Sequence, residues 1–322
     1  MLHTCKTVTI EECRVTEEER NDVAQRLKAT NFYTALSYAN KQISAQMGKE
    51  ECRRYQDSFV LPMRRNLFGL LTIPVIVNHH TCTFIIDTGA QISGIKELKA
   101  KELGLLQSKA SLSIGSVGGK QQQLKGLQAQ NLRFGAIEYH NKAMIALDAN
   151  DFSLRFANID LLSFDGILGW DILSTLDFEM DDIAKTFQVF KNRFQLSYPN
   201  MIKGSFPLFL TKTKKGEIAV YGFDSGSKNS WIGLDAIHKF GYHITDEITA
   251  LGMGVHGAEK MEMKIVGEIQ LKLYKAQIKL KNTGTGRVAL FDGFTFDGVL
   301  GNEIFKGRRL RIVNSKQMVL IA

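Results

Sequence analysis

The chain carries one pattern twice. Asp87-Thr88-Gly89-Ala90 is followed by Phe164-Asp165-Gly166-Ile167-Leu168-Gly169, and Asp224-Ser225-Gly226-Ser227 by Phe296-Asp297-Gly298-Val299-Leu300-Gly301. Placing Asp87 on Asp224 without a gap also superposes Ser93 on Ser230, Ile95 on Ile232, Leu103 on Phe240 and Gly104 on Gly241. Upstream, LLTIPVIV, the polar turn Asn78-His79-His80 and TCTFII lead into Asp87, as FPLFLT, a Lys-Lys-Gly turn and EIAVYGF lead into Asp224. Apolar runs flanking a polar turn are the signature of hairpins, here ending at the acid. A repeat of this extent dictates two equivalent halves, each presenting one carboxylate from a tight turn.

A length of 322 residues with 44% hydrophobic content suffices for two β lobes and an extra segment. Three parts are expected: an N-terminal helical segment over 1–62, a first lobe over 63–200 and a second over 201–322. Thr16 with Glu19 forms a capping-box pattern before RNDVAQRLKA, and a second helical stretch runs through FYTALSYANKQISAQ. Pro62 and Arg64-Arg65-Asn66 break that pattern, and Tyr198-Pro199-Asn200 is the natural junction between lobes. Each half has one short helix after its acid, KELKAKELG and LDAIHKFG, ending at the equivalent glycine.

Two carboxylates brought together cannot both ionise, so they share a proton. One then serves as base toward water while its protonated partner polarises a carbonyl, which makes Asp87 and Asp224 the candidate catalytic pair. Gly89 and Gly226 follow because the backbone must turn sharply and come close to the carboxylate. Thr88 and Ser225 offer hydroxyls that can tie the two turns together. Asp165 and Asp297, which precede the Gly-Ile/Val-Leu-Gly element in both halves, fit a structural turn role better and are the runner-up acids. Trp170 and Trp231 suit core or wall positions.

Composition excludes several alternatives. No apolar run approaches a membrane span. The net charge of +8 lies outside residues 1–62, which hold nine basic and nine acidic side chains, and the basic residues are dispersed. A solvated surface is therefore expected, with neither a nucleic-acid nor a membrane partner. Cys5, Cys13, Cys52 and Cys82 all precede residue 83, and MLHTCKTVTIEECRV lacks the apolar stretch of an export signal. Reduced thiols in a cytoplasmic protein are the expectation. His79, His80 and Cys82 lack the paired spacing of a zinc site, so no metal is expected. Gly252-Met-Gly-Val-His-Gly257 satisfies a dinucleotide-binding pattern, but the strand-like MEMKIVGEIQLKL follows where a helix should open. Gly115 to Lys120 is one residue short of a phosphate loop.

Asp87-Thr-Gly-Ala90 is similar to the retropepsin signature, and Asp224-Ser-Gly-Ser-Lys-Asn-Ser-Trp-Ile232 resembles the pepsin pattern Asp-Thr-Gly-Ser-x-Asn-x-Trp-Val. The segments 167–169 and 299–301 resemble the same superfamily's hydrophobic-hydrophobic-Gly element. The chain thus resembles the aspartic peptidases of the retropepsin and pepsin superfamily, over about 68–196 and 206–322, as two retropepsin-like halves in one chain. That class is known for its shared-proton carboxylate pair. The resemblance implies a bilobal pair of β-barrel lobes, a peptide or protein substrate in an inter-lobe cleft, an activated water, no metal or cofactor, and mobile hairpin flaps. Flap candidates lie about 30 residues after each acid: Val117, Gly118 and Gly119 in the first half, Val255, His256 and Gly257 in the second. With both acids in one chain a monomer is expected. The rival reading is a catalytically silent or latent peptide-binding protein on the same scaffold. Residues 1–62 fit a lid, a partner module or a buttress equally well.

Overall fold

The computed structural model describes residues 14–34, 41, 48–115, 121–148, 155–156, 159–160, 163–191, 199–254, 257–286 and 294–322. Strands before and within the first half are β1 (Glu51–Arg54), β2 (Phe59–Pro62), β3 (Arg64–Arg65), β4 (Leu71–Val77), β5 (His80–Ile86), β6 (Gly94–Lys96), β7 (Leu106–Gly115), β8 (Gln121–Phe134), β9 (Ile137–Leu147), β10 (Arg155–Phe156), β11 (Ile159–Asp160) and β12 (Gly166–Leu168). They continue as β13 (Asp177–Asp181), β14 (Thr186–Phe190), β15 (Met201–Lys203), β16 (Pro207–Thr213), β17 (Ile218–Phe223), β18 (Trp231–Gly233), β19 (Ile244–Gly254), β20 (Gly257–Leu273), β21 (Ala276–Gly286), β22 (Gly298–Leu300), β23 (Arg309–Val313) and β24 (Met318–Ile321).

The chain is mainly β, with two closed six-stranded barrels and a short N-terminal helix. One barrel runs β4-β5-β12-β6-β9-β8, the other β16-β17-β22-β18-β21-β20, each closing on its first strand. Turn chemistry starts both. Asn78 and His79 take positive φ of 44° and 71°, the consecutive left-handed pair whose twist matches a two-residue hairpin. Between β16 and β17, Gly216 at φ 86° supplies the single left-handed residue of a longer turn. The apolar faces of β4 and β16 then bury against their lobe cores.

The short strand after each Phe-Asp pair threads beside the strand leading to the acid. Ile86 pairs in parallel with Leu168, and Phe223 with Leu300. On the other side, β12 and β22 run antiparallel to β6 and β18. The helices Glu97–Glu102 and Leu234–Phe240 follow, and Gly104 and Gly241 both sit at φ 66°, where a side chain would be strained.

A separate sheet, β2-β14-β13-β23-β24, joins the halves. Its central pairing crosses between them, from Asp177 opposite Val313 to Asp181 opposite Arg309. Phe178, Met180, Phe187, Leu310, Ile312 and Val319 make it continuous with the main core.

Thr16 caps the helix Glu17–Lys28 reciprocally with Glu19, as the capping-box pattern predicts. Val23 and Leu27 on its buried face, with Val15 and Phe32, pack against Ile202, Phe206, Leu208 and Phe296 of the second half. Lys212 pairs with Glu19, and Arg20 Nη2 donates to Gln317 Oε1 at 3.0 Å. This helix is a buttress of the second barrel. The helical reading of 1–62 fails at its C-terminal end: β1 pairs with β9, and β2 with β14. The edges of those two strands satisfy backbone groups that a helix would have satisfied internally. Most of the second expected helix lies outside the described residues. No described helix is long and apolar enough to cross a membrane.

Candidate active site

Asp87 and Asp224 each stand one residue beyond a parallel strand pair. The amide of Asp87 donates to Leu168 O at 3.0 Å and that of Asp224 to Leu300 O at 2.9 Å, so the threaded strands fix where each turn begins. Within the turns, the Gly89 and Ala90 amides donate to Asp87 Oδ1 at 2.8 and 2.9 Å. The Gly226 amide donates to Asp224 Oδ1 at 2.8 Å.

The turns meet. Thr88 Oγ1 donates to Phe223 O at 2.8 Å, and Ser225 Oγ to Ile86 O at 2.8 Å. Each hydroxyl also accepts the other's amide, Thr88 N to Ser225 Oγ and Ser225 N to Thr88 Oγ1, both at 3.0 Å. Both residues are fully buried, where an unmade hydrogen bond is expensive. The crossed grip therefore fixes the separation of the two acids.

Glycine is required for space. A Cβ on Gly89 would stand 2.5 Å from Asp224 Cγ, and one on Gly226 would stand 2.5 Å from Asp87 Oδ2. Each glycine thus lies against the opposite half's carboxyl, and the two carboxyls hydrogen-bond to each other. Burial pushes Asp87 up, against the amides of Ala90 and Gly89 and the bond to Asp224. Burial, the Asp87 charge and the Asp87 hydrogen bond push Asp224 well above the carboxylate range. Both acids are thus held above their ordinary values, and a pair this close titrates as a unit.

The other expected residues divide. Asp165 and Asp297 are structural. Thr83 N donates to Asp165 Oδ2 at 2.8 Å and Val220 N to Asp297 Oδ2 at 2.7 Å, while their carbonyls accept Lys96 N and Gly233 N. Lys239 Nζ adds a 2.8 Å ion pair to Asp297. Trp170 is buried in the core, its indole donating to Gly204 O at 2.9 Å, and Trp231 is half-buried against the second barrel's outer cluster. The expected flap segments lie between the strands of two antiparallel pairs, β7 with β8 and β19 with β20. Val117, Gly118, Gly119, Val255 and His256 lie outside the described residues, and Gly257 pairs with Gly254. Gly252 and Gly254 of the glycine pattern thus end β19 and Gly257 opens β20, so a strand follows where a dinucleotide site would need a helix. Among the described residues no group of His, Cys, Asp and Glu is placed to hold a metal.

Sequence reasoning missed the network under the first turn. Ser93 N and Oγ donate to Asp171 Oδ1 at 2.9 and 2.7 Å, and Ser93 Oγ accepts the Gly169 amide at 2.9 Å. In the second half Ser230 N donates to Glu303 Oε1 at 2.6 Å and Ser230 Oγ accepts Gly301 N at 3.0 Å. The gapless superposition of Ser93 on Ser230 was the available signal. Asp171, unlike Glu303, is buried and pairs at 2.9 Å with Lys142, itself 2% exposed.

A family model described as Aspartyl protease matches residues 73–172, a span that holds the Asp87 turn, Ser93 and the Gly169–Asp171 turn. The match supports an aspartyl protease family and with it a hydrolase, and the two-barrel arrangement fits. No curated protein matches the chain.

Proposed function

We propose that the protein is an aspartic endopeptidase built from two retropepsin-like halves in one chain, with Asp87 and Asp224 as its catalytic dyad. The observation that carries this reading is the reciprocal placement of Gly89 against Asp224 and Gly226 against Asp87, which supports a pair of carboxyls close enough to share a proton. The substrate is an extended peptide lying between the lobes, beneath the hairpins β7–β8 and β19–β20.

The proposed mechanism starts with the shared proton on Asp224, the acid pushed up further. A water bound between the acids gives its proton to ionised Asp87 as its oxygen adds to the scissile carbonyl carbon, while Asp224 donates its proton to the carbonyl oxygen. As the intermediate collapses its carbon–nitrogen bond breaks, Asp87 gives its proton to the leaving nitrogen, and one hydroxyl of the intermediate returns a proton to Asp224, so the dyad is left with one proton again. The grip of Thr88 and Ser225 supplies the preorganisation this needs, because a shift of about 1 Å between the acids costs about 100-fold in rate. Neither metal nor cofactor takes part, and one chain supplies the whole dyad.

The test is cleavage of a mixed peptide library, read by mass spectrometry from pH 4 to 8, for the wild type, Asp87→Asn and Asp224→Asn. Cutting by the wild type and silence of each variant is the expected result. A wild type inert at every pH, or a variant that still cuts, overturns the assignment.

A further inference from the structure

The N-terminal segment reaches the Asp87 turn from below, through charge. Lys142 on β9 is enclosed, with Nζ 2.9 Å from Asp171 Oδ2 and 3.1 and 3.0 Å from the two oxygens of Glu50. Glu50 immediately precedes β1, and its Oε2 also accepts the Ala143 amide at 3.2 Å. It is held there by the backbone around it. Gly48 O accepts from Gln128 Nε2 at 3.0 Å, Lys49 O from Asn141 Nδ2 at 3.2 Å, and β1 pairs with β9.

Asp171 passes this anchoring on. Besides holding Ser93, its own amide donates to Gln91 O at 3.1 Å, and the preceding amide, that of Trp170, donates to Ala90 O at 2.7 Å. Ala90 N is one of the two donors to Asp87 Oδ1. Polar contacts thus lead from Glu50 through Lys142 to Asp171, and the Trp170 and Asp171 amides hold the Ala90–Gln91 backbone whose Ala90 amide is one of the two donors to Asp87. Among the described residues the second half shows no ion pair to Glu303, which stands at the position of Asp171 and is exposed.

We propose that Lys142 and Glu50 are positioning residues for Asp87, so that the segment before residue 62 is a working part of the site and not a removable lid. The inference rests on the dyad reading of Asp87. Without Lys142, Asp171 becomes an unpaired buried carboxylate and must draw protons or water, which loosens its hold on Ser93 and on the Ala90–Gln91 backbone. Without Glu50, the Lys142–Asp171 pair survives but loses its outer tether. The titratable group facing Asp87 itself is Asp224.

The experiment compares the full chain with Lys142→Met, Lys142→Arg and Glu50→Gln, and with Lys191→Met, which removes an exposed ion pair to Asp57. Two readouts are taken: the carboxyl titration of the Asp87/Asp224 pair by 13C NMR, and kcat and KM on a peptide that the wild type cuts. Lys142→Met is expected to raise the pair's lower titration step by about half a pH unit and to lower kcat about tenfold at unchanged KM. Glu50→Gln should shift both in the same direction by less, Lys142→Arg should restore them, and Lys191→Met should do nothing. Unchanged titration and kcat in Lys142→Met, or equal changes in Lys191→Met, would overturn the proposal. If Lys142→Met does not fold, Glu50→Gln decides alone, and its wild-type behaviour counts against the idea. If the wild type cuts no peptide, the function proposed above fails, while the titration still answers for positioning.

Discussion

Gly89 and Asp224 face each other across the boundary between the two barrels, with a Cβ on Gly89 only 2.5 Å from Asp224 Cγ. Neither Gly89 nor Gly226 has a positive φ, so the requirement is one of volume alone. Gly89→Ala and Gly226→Ala are each expected to push the opposite carboxyl off its partner and to cut peptide cleavage about 100-fold or more. Folding should persist, as measured by circular dichroism. Wild-type turnover in either variant would mean that the acids are farther apart in solution than this arrangement has them.

The grip predicts coupled stability losses. Thr88→Val keeps the volume but removes the donor to Phe223 O and the acceptor of Ser225 N, and Ser225→Ala removes the counterparts. Each should cost about 1–3 kcal/mol, because buried partners are left unsatisfied. Each change deletes a different two of the four bonds, but all four depend on the same meeting of the turns, so the double variant should lose less than the sum of the two. Urea unfolding of the three proteins measures this, and strict additivity would separate the two halves of the grip.

Asp224 gives a stability prediction with a definite sign. Burial and the neighbouring Asp87 raise its folded value, so its protonated form favours the folded state. That contribution is complete below about pH 4, where the unfolded acid also protonates, and is lost as pH rises through the folded value. Asp224→Asn removes the penalty. Its melting temperature should exceed that of the wild type at pH 7, and the gap should close as pH falls toward 4. A constant gap would show that Asp224 titrates normally.

Asp182 behaves oppositely. Burial alone would raise it, yet Arg65, the Gly307 amide and Lys185 hold it below its ordinary value. Stability from this group is therefore present above about pH 4 and is lost as pH falls through the folded value. Arg65 also donates to Gly69 O at 2.8 Å and Asn302 Oδ1 at 2.7 Å, and Asn302 Nδ2 donates to Ser225 O at 3.2 Å. Arg65→Met should cost about 1–3 kcal/mol at pH 7, with a smaller deficit at pH 3.5. Urea midpoints at the two pH values test it.

The legible parts of this protein were local or repeated. The Asn78-His79 turn, the Thr16–Glu19 cap and the glycines after both short helices carry their conformations in neighbouring residues. The duplication carried the pairing of Thr88 with Ser225, because equivalent turns in equivalent halves meet about their shared axis. The illegible parts depend on distant edges. Glu51–Arg54 is exposed along its whole length and shows no alternation, so nothing in ECRR announces a strand until β9 offers its edge. The Glu50–Lys142–Asp171 cluster draws on three segments far apart in sequence, and each residue alone has the composition of a solvated surface.

The pairing of β13 with β23 has a further consequence. Because both acids arrive on one polypeptide held by that seam, the meeting of the two halves does not obey mass action, and dilution to nanomolar levels should leave the specific activity of each molecule unchanged. With one chain supplying the proposed dyad, neither half needs to fit a copy of itself. Trp170 in one half and Asn302 in the other occupy the same place after the threaded strand, one reaching Gly204 and the other Gly69. On the peptidase proposed above, the two sides of the acid pair are thus free to drift apart and to meet unlike ends of a single target.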